Sequence, residues 1–148
     1  MERIPVSVDN FARAEADRML ADLAAAGGGI NRWFHNRAPT DVDDQAVVRM
    51  NRDTLYSWVV ADLAQGAVLA VPHTGERYMS VMVVNQDHHI NEVFHSAGEY
   101  RLTMEAFDTR YVLLAARVFV DPTDPADGGP SPRCRTGSGC RLRRQSRS

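Results

Sequence analysis

Residues 53–63, DTLYSWVVADL, carry the clearest strand signal in the chain. β-Branched and aromatic residues crowd it, and such residues suit a pleated, half-buried surface. Alternation along a strand sends Tyr56 and Trp58 to one face and Leu55, Ser57 and Val59 to the other. Both faces are largely apolar, which predicts a central strand covered on both sides. Just upstream, Asn51, Arg52 and Asp53 make a polar entry into this strand. Asn and Asp side chains accept neighbouring backbone N–H groups and fix the angle at which a chain enters an element. One reading is a latch, in which Asp53 organises the turn and pairs with Arg49 or Arg77. The other is a pocket floor, with Asn51, Asp53 and Tyr56 as convergent polar groups beside an aromatic wall.

Working outward, Gln65-Gly66 supplies a turn before AVLAVP (67–72), and His73-Thr74-Gly75 turns again before RYMSVMVVN (77–85). EYRLTM (99–104) and TRYVLLAARVFVD (109–121) complete five strand candidates joined by short turns. That pattern predicts an α+β, mainly β fold: an antiparallel sheet closed into a sandwich or partial barrel. Upstream, residues 9–26 read as a helix. Ala12, Ala16, Met19, Leu20 and Leu23 form its apolar stripe, Asp9 is the expected N-cap, and Gly27-Gly28-Gly29 stops it. This helix is the natural cover for one face of the sheet.

A chain of 148 residues with 44% hydrophobic and 24% charged residues is one ordinary globular domain. No apolar run reaches the roughly 18 residues of a membrane helix, since YVLLAARVFV at 111–120 is short and contains Arg117. The first 17 residues have no apolar signal core, so a cytoplasmic location is expected. All 17 basic residues are Arg. Residues 1–127 hold 11 of them with all 19 acids, whereas residues 128–148 hold 6 and no acid. The acidic body should avoid nucleic acid and anionic membranes. Cys134 and Cys140 both fall in the basic segment, so the body cannot depend on a disulfide. Residues 122–148 contain one large aliphatic side chain, Leu142, and are expected to be a disordered tail. A second reading is translation of GC-rich DNA past a reading frame lost near residue 127. Residues 1–8 read as an N-terminal extension.

Several motifs invite chemistry. AGGGINR (26–32) has its glycines after a helix, whereas phosphate loops precede one. DVDDQAVVRMNR, from Asp41, fails as a calcium loop because it has Ala46 where Gly is needed and Arg52 where a bidentate Glu is needed. NQDHHINEVFHSAGEY (85–100) concentrates Asp87, His88, His89, Glu92 and His95. Were it helical, His88, Glu92 and His95 would share one face at i, i+4 and i+7 and could hold a divalent metal such as Zn²⁺ or Fe²⁺. Otherwise it is a polar connection with surface histidines, and no cofactor is required. No nucleophile elbow is present, and Ser57, Ser80 and Ser96 have no partner assignable from sequence. In NRWFHNR (31–37), the aromatics are expected to plug the edge of the core between solvated Arg32 and Arg37.

The steps Asn51-x-Asp53-Thr54-Leu55-Tyr56-Ser57, Asp62-Leu63, Val71-Pro72, Arg77-Tyr78 and Gly98-x-Tyr100 resemble those of domain of unknown function 1254 over about residues 10–121. Glu76 interrupts the usual G-R-Y step. The resemblance implies an immunoglobulin-like sandwich that is usually followed by a second, jelly-roll-like domain, for which this chain has no room. It transfers no catalytic residue. The expected function is thus a non-catalytic module that binds a small-molecule ligand or packs on a second β domain or another copy of itself. Asn51, Asp53, Tyr56, Arg77 and Tyr78 are its candidate ligand-binding residues. The competing readings are a hydrolase-like or metal-assisted enzyme using Asp53, Tyr56, His88, His89 and His95, and a non-functional truncated fragment.

Overall fold

A computed structural model describes residues 5–36, 38, 41, 43, 51, 53–121, 123, 124 and 140–144. Arg49, Arg52, Cys134, most of the Asp41–Arg52 segment and the tail at 125–139 and 145–148 lie outside the described residues. Along the chain run α1 (Phe11–Ala26), β1 (Phe34–His35), β2 (Thr54–Asp62), β3 (Ala67–Val71), β4 (Met79–Asn85), β5 (Ile90–Phe94), β6 (Gly98–Leu102), α2 (Met104–Phe107), β7 (Tyr111–Phe119) and β8 (Arg141–Arg144). The strands form two antiparallel sheets, ordered β1-β2-β7-β4-β5 and β6-β3-β8, with no closed barrel.

The alternation expected of the 53–63 segment fixes how the layers stack. Val59, Ala61 and Leu63 point between the sheets, where they meet Leu69, Val81, Leu102 and Leu114. Trp58 and Val60 point outward, where Leu20 and Ala24 of α1 cover them together with Val84 and Leu113. Both faces of the central strands are therefore buried, one by the second sheet and one by the helix. The indole N–H of Trp58 donates to the Leu23 carbonyl at 3.3 Å, tying the helix to the sheet.

α1 starts at Phe11, and its buried stripe is Ala16, Leu20 and Ala24, with Ala12 exposed. The N-cap is Asn10, and not Asp9 as expected. Asn10 makes no capping bond because its amide serves the preceding turn, accepting from the Ser7 N–H at 2.7 Å and donating to the Pro5 carbonyl at 3.1 Å. The chain leaves the helix through Gly28 at φ 82°, a left-handed conformation that glycine adopts without a Cβ clash.

Three strands lie where none was expected. β1 is a two-residue edge. β5 grows out of the histidine-rich segment because Asn85 organises a hairpin. Its buried side-chain oxygen accepts from the N–H groups of Asp87 and His89, both at 3.0 Å, and His88 sits at φ 64°. β8 corrects the expectation of disorder for part of the tail. Residues 141–144 pair with β3 in register, Leu142 opposite Leu69, and Cys140 is buried. Leu142 packs against the inter-sheet core and Arg143 pairs with Glu99 at 2.7 Å, so this short piece of tail finds both an apolar and an ionic anchor. Among the described residues, no helix is long and apolar enough to cross a membrane.

Candidate functional site

β2 and β4 begin, and β7 ends, at the same end of the larger sheet. The two halves of the polar sequence pattern meet there. The side-chain oxygen of Asn51 accepts the Asp53 N–H at 3.3 Å, and the Asp53 carbonyl accepts the Val120 N–H at 2.7 Å. On the other side of β7, the Tyr78 carbonyl accepts the Phe119 N–H at 3.0 Å, and the Arg77 guanidinium donates to the Phe119 carbonyl at 2.7 Å. Asn51 and Asp53 thus flank β7 on one side and Arg77 and Tyr78 on the other. The turn is organised by Asn51, and the bonds made at Asp53 are main-chain bonds, so the side-chain latch expected of Asp53 is a latch of its backbone.

Beside this junction a cleft of about 420 Å³ opens where the end of β3, the loop into β4 and the loop after β5 come together. Pro72, His73, Thr74, Arg77, Tyr78 and His95 line it. Tyr78 is 53% exposed, and its ring lies 6.0 Å from that of His95 at 47°. The Thr74 hydroxyl donates to the Arg77 carbonyl at 2.7 Å, and His73 Nδ1 accepts the Gly75 N–H at 3.0 Å. An imidazole that accepts at Nδ1 presents Nε2 as its remaining hydrogen-bonding atom. Of the five ligand-binding residues expected from sequence, Arg77 and Tyr78 line the cleft. Asn51, Asp53 and Tyr56 lie outside its lining, Tyr56 because it stands in register with Arg117 on β7. His73, Thr74 and Ser96 belong to the cleft and were missed, since turn residues give no periodic signal.

The helical metal face is corrected outright. Residues 90–94 are a strand, so His88 lies in the turn at one end of β5 and His95 beyond the other. At a rise of about 3.3 Å per residue, they stand on the order of 20 Å apart. One Zn²⁺ holds its ligands at roughly 2 Å. The Glu92 carboxylate accepts the Val93 N–H at 3.0 Å. Among the described residues no three His, Cys, Asp or Glu converge as a metal would require.

The serines also find their places. Ser57 Oγ lies 2.9 Å from His35 Nδ1, a hydroxyl–imidazole pair on neighbouring strands. Ser57 is 3% exposed and its hydroxyl is already engaged by His35, so the pair serves to satisfy a buried polar group. Trp33 stacks on His35 at 6.0 Å and packs against the core, and Phe34 lies 4.3 Å from Trp58, so these aromatics do plug the core edge. Ser96 offers its carbonyl to the Tyr100 hydroxyl at 2.8 Å.

The chain is similar to a crystal structure of the VPA0106 protein from Vibrio parahaemolyticus, with 16% identity and a TM-score of 0.69. That similarity covers 91% of this chain and 35% of the other, so the chain spans about a third of that protein. It is a likeness of fold. No curated protein matches. Residues 30–133 match the family described as Protein of unknown function (DUF1254), and the chain belongs to that family.

Proposed function

We propose that this domain is a non-catalytic binding module that takes a small polar ligand in the cleft at Arg77, Tyr78 and His95 and normally packs on a second β domain. One observation carries the reading. Segments far apart in sequence converge there on an exposed aromatic pair with hydrogen-bonding neighbours, His73 and Thr74. Binding sites commonly combine such an apolar wall with a few placed polar groups. The second domain is supported by the chain's spanning only 35% of its structural neighbour.

A screen of small aromatic acids and sugars by amide chemical-shift changes tests the cleft. Shifts confined to residues 71–79 and 95–97 that Tyr78→Ala and His95→Ala abolish, with the fold intact, support it. Hits that map elsewhere or survive both substitutions overturn it.

A further inference from the structure

Arg117 interrupts the apolar run of β7, the strand between β2 and β4. In register, Tyr56 stands opposite it on β2 and Ser80 opposite it on β4. Residues directly opposite in a ladder share a face, and this is the outer face, because Trp58, Val60, Met82 and Val84 of the same alternation pack with α1. Thr54 is two residues before Tyr56 on the same face. Ser80 is fully buried and Thr54 is 9% exposed, yet neither hydroxyl has a hydrogen-bond partner. Buried hydroxyls are normally satisfied, so two orphans flanking one cation mark a place built for something else. Arg117 is only partly exposed and takes no part in the ion pairs of the described residues. Among the described residues, its ladder neighbours on this face, Thr54, Tyr56, Trp58, Ser80, Met82 and Ala115, include no acid.

We propose that Arg117, with the hydroxyls of Tyr56, Ser80 and Thr54, forms a site for an anionic group, a carboxylate or a phosphate. The planar guanidinium offers the paired donors that fit either oxyanion, and three hydroxyls add donors around it. The site shares no residue with the cleft, so either can fail without the other.

The test uses the full chain, titrated with sodium phosphate or sodium acetate at constant pH and ionic strength balanced with sodium chloride. Saturable amide shifts around residues 54–56, 80 and 117, with a rise in Tm, are expected for at least one of the two anions. Which anion acts identifies the class. Arg117→Gln should abolish the response and Arg117→Lys should retain part of it. Because phosphate also stabilises proteins by exclusion from their surface, the difference between wild type and variant is the readout. An equal response in Arg117→Gln, or no saturable response to either anion, overturns the proposal. Should Arg117→Gln fail to fold, the double variant Thr54→Val, Ser80→Ala decides, losing about fivefold or more in affinity if the site is real. An unchanged affinity overturns it.

Discussion

The Arg77 guanidinium donates to the Phe119 carbonyl at 2.7 Å, pinning the entry of β4 to the exit of β7. On the opposite side of β7, the Val120 N–H bonds the Asp53 carbonyl, so the sheet end is held mainly by the backbone. The Asp53 side chain is exposed. Asp53→Asn should therefore shift unfolding free energy by less than about 0.5 kcal/mol, as surface changes do. Asn51→Ala removes the acceptor of the Asp53 N–H and should cost about 0.5–1 kcal/mol. Urea denaturation of both variants checks the ranking. A loss above about 2 kcal/mol for Asp53→Asn would restore the side-chain latch.

Asp62 ends β2 in a two-pronged bond with Arg110, at 3.0 and 2.8 Å, and also accepts the Ala64 N–H at 2.9 Å. The Arg110 hydrogen bonds, the largest cause, hold its carboxyl below the ordinary range. A folded-state pKa below the unfolded one contributes stability that is present above the unfolded value and lost as pH falls through the folded one. The stability difference between wild type and Asp62→Asn should accordingly be constant from about pH 5 to 7 and shrink below about pH 4. A difference that holds steady down to pH 2 would show that the carboxylate's charge contributes nothing there.

Legibility in the sequence followed burial. β2, β3, β4 and β7 were readable because buried positions impose apolar patterns, and β6, an edge strand that buries only Leu102, was readable as a short run bounded by turns. β5 was not, because Ile90 is 61% exposed and none of its residues is fully buried, so no apolar pattern marks it. The helical metal face failed on one residue: Asn85 captures two turn N–H groups and commits the segment to a hairpin, a preference of Asn for turns that its position after a strong strand already hinted at. Arg77 and Tyr78, which line the cleft, stand out in the sequence as a step of the family pattern. In the sequence Arg117 stands out only as an interruption of an apolar run, since strand register, which sets Tyr56 and Ser80 beside it, is a tertiary fact.

Leu20 measures how much the helix contributes. It is 4% exposed and packs with Ala24, Val60, Val84 and Leu113 on the outer face of the sheet. Leu20→Ala should cost about 2–4 kcal/mol, from lost transfer energy and the void left behind. Ala12→Ser, at an exposed position of the same helix, should cost under about 0.5 kcal/mol. Comparable losses in the two variants would mean that α1 is not docked as described.

Cys140 tests whether β8 seats. The residue is 3% exposed, and burial pushes its thiol from the ordinary 9.0 up to about 12. In a Cys134→Ser background at pH 8, Ellman's reagent should label it at least about 100-fold more slowly than the denatured chain, since only the exposed thiolate reacts. Leu142→Ser, which removes the aliphatic anchor opposite Leu69, should speed labelling without unfolding the larger sheet. The raised pKa also has a sign: between about pH 9 and 12 the unfolded chain loses this proton while the folded one keeps it, so stability falls as pH rises. The advantage of wild type over Cys140→Ala should narrow across that window. Labelling of the native chain as fast as that of the denatured one would place Cys140 in solvent and remove β8 from the sheet.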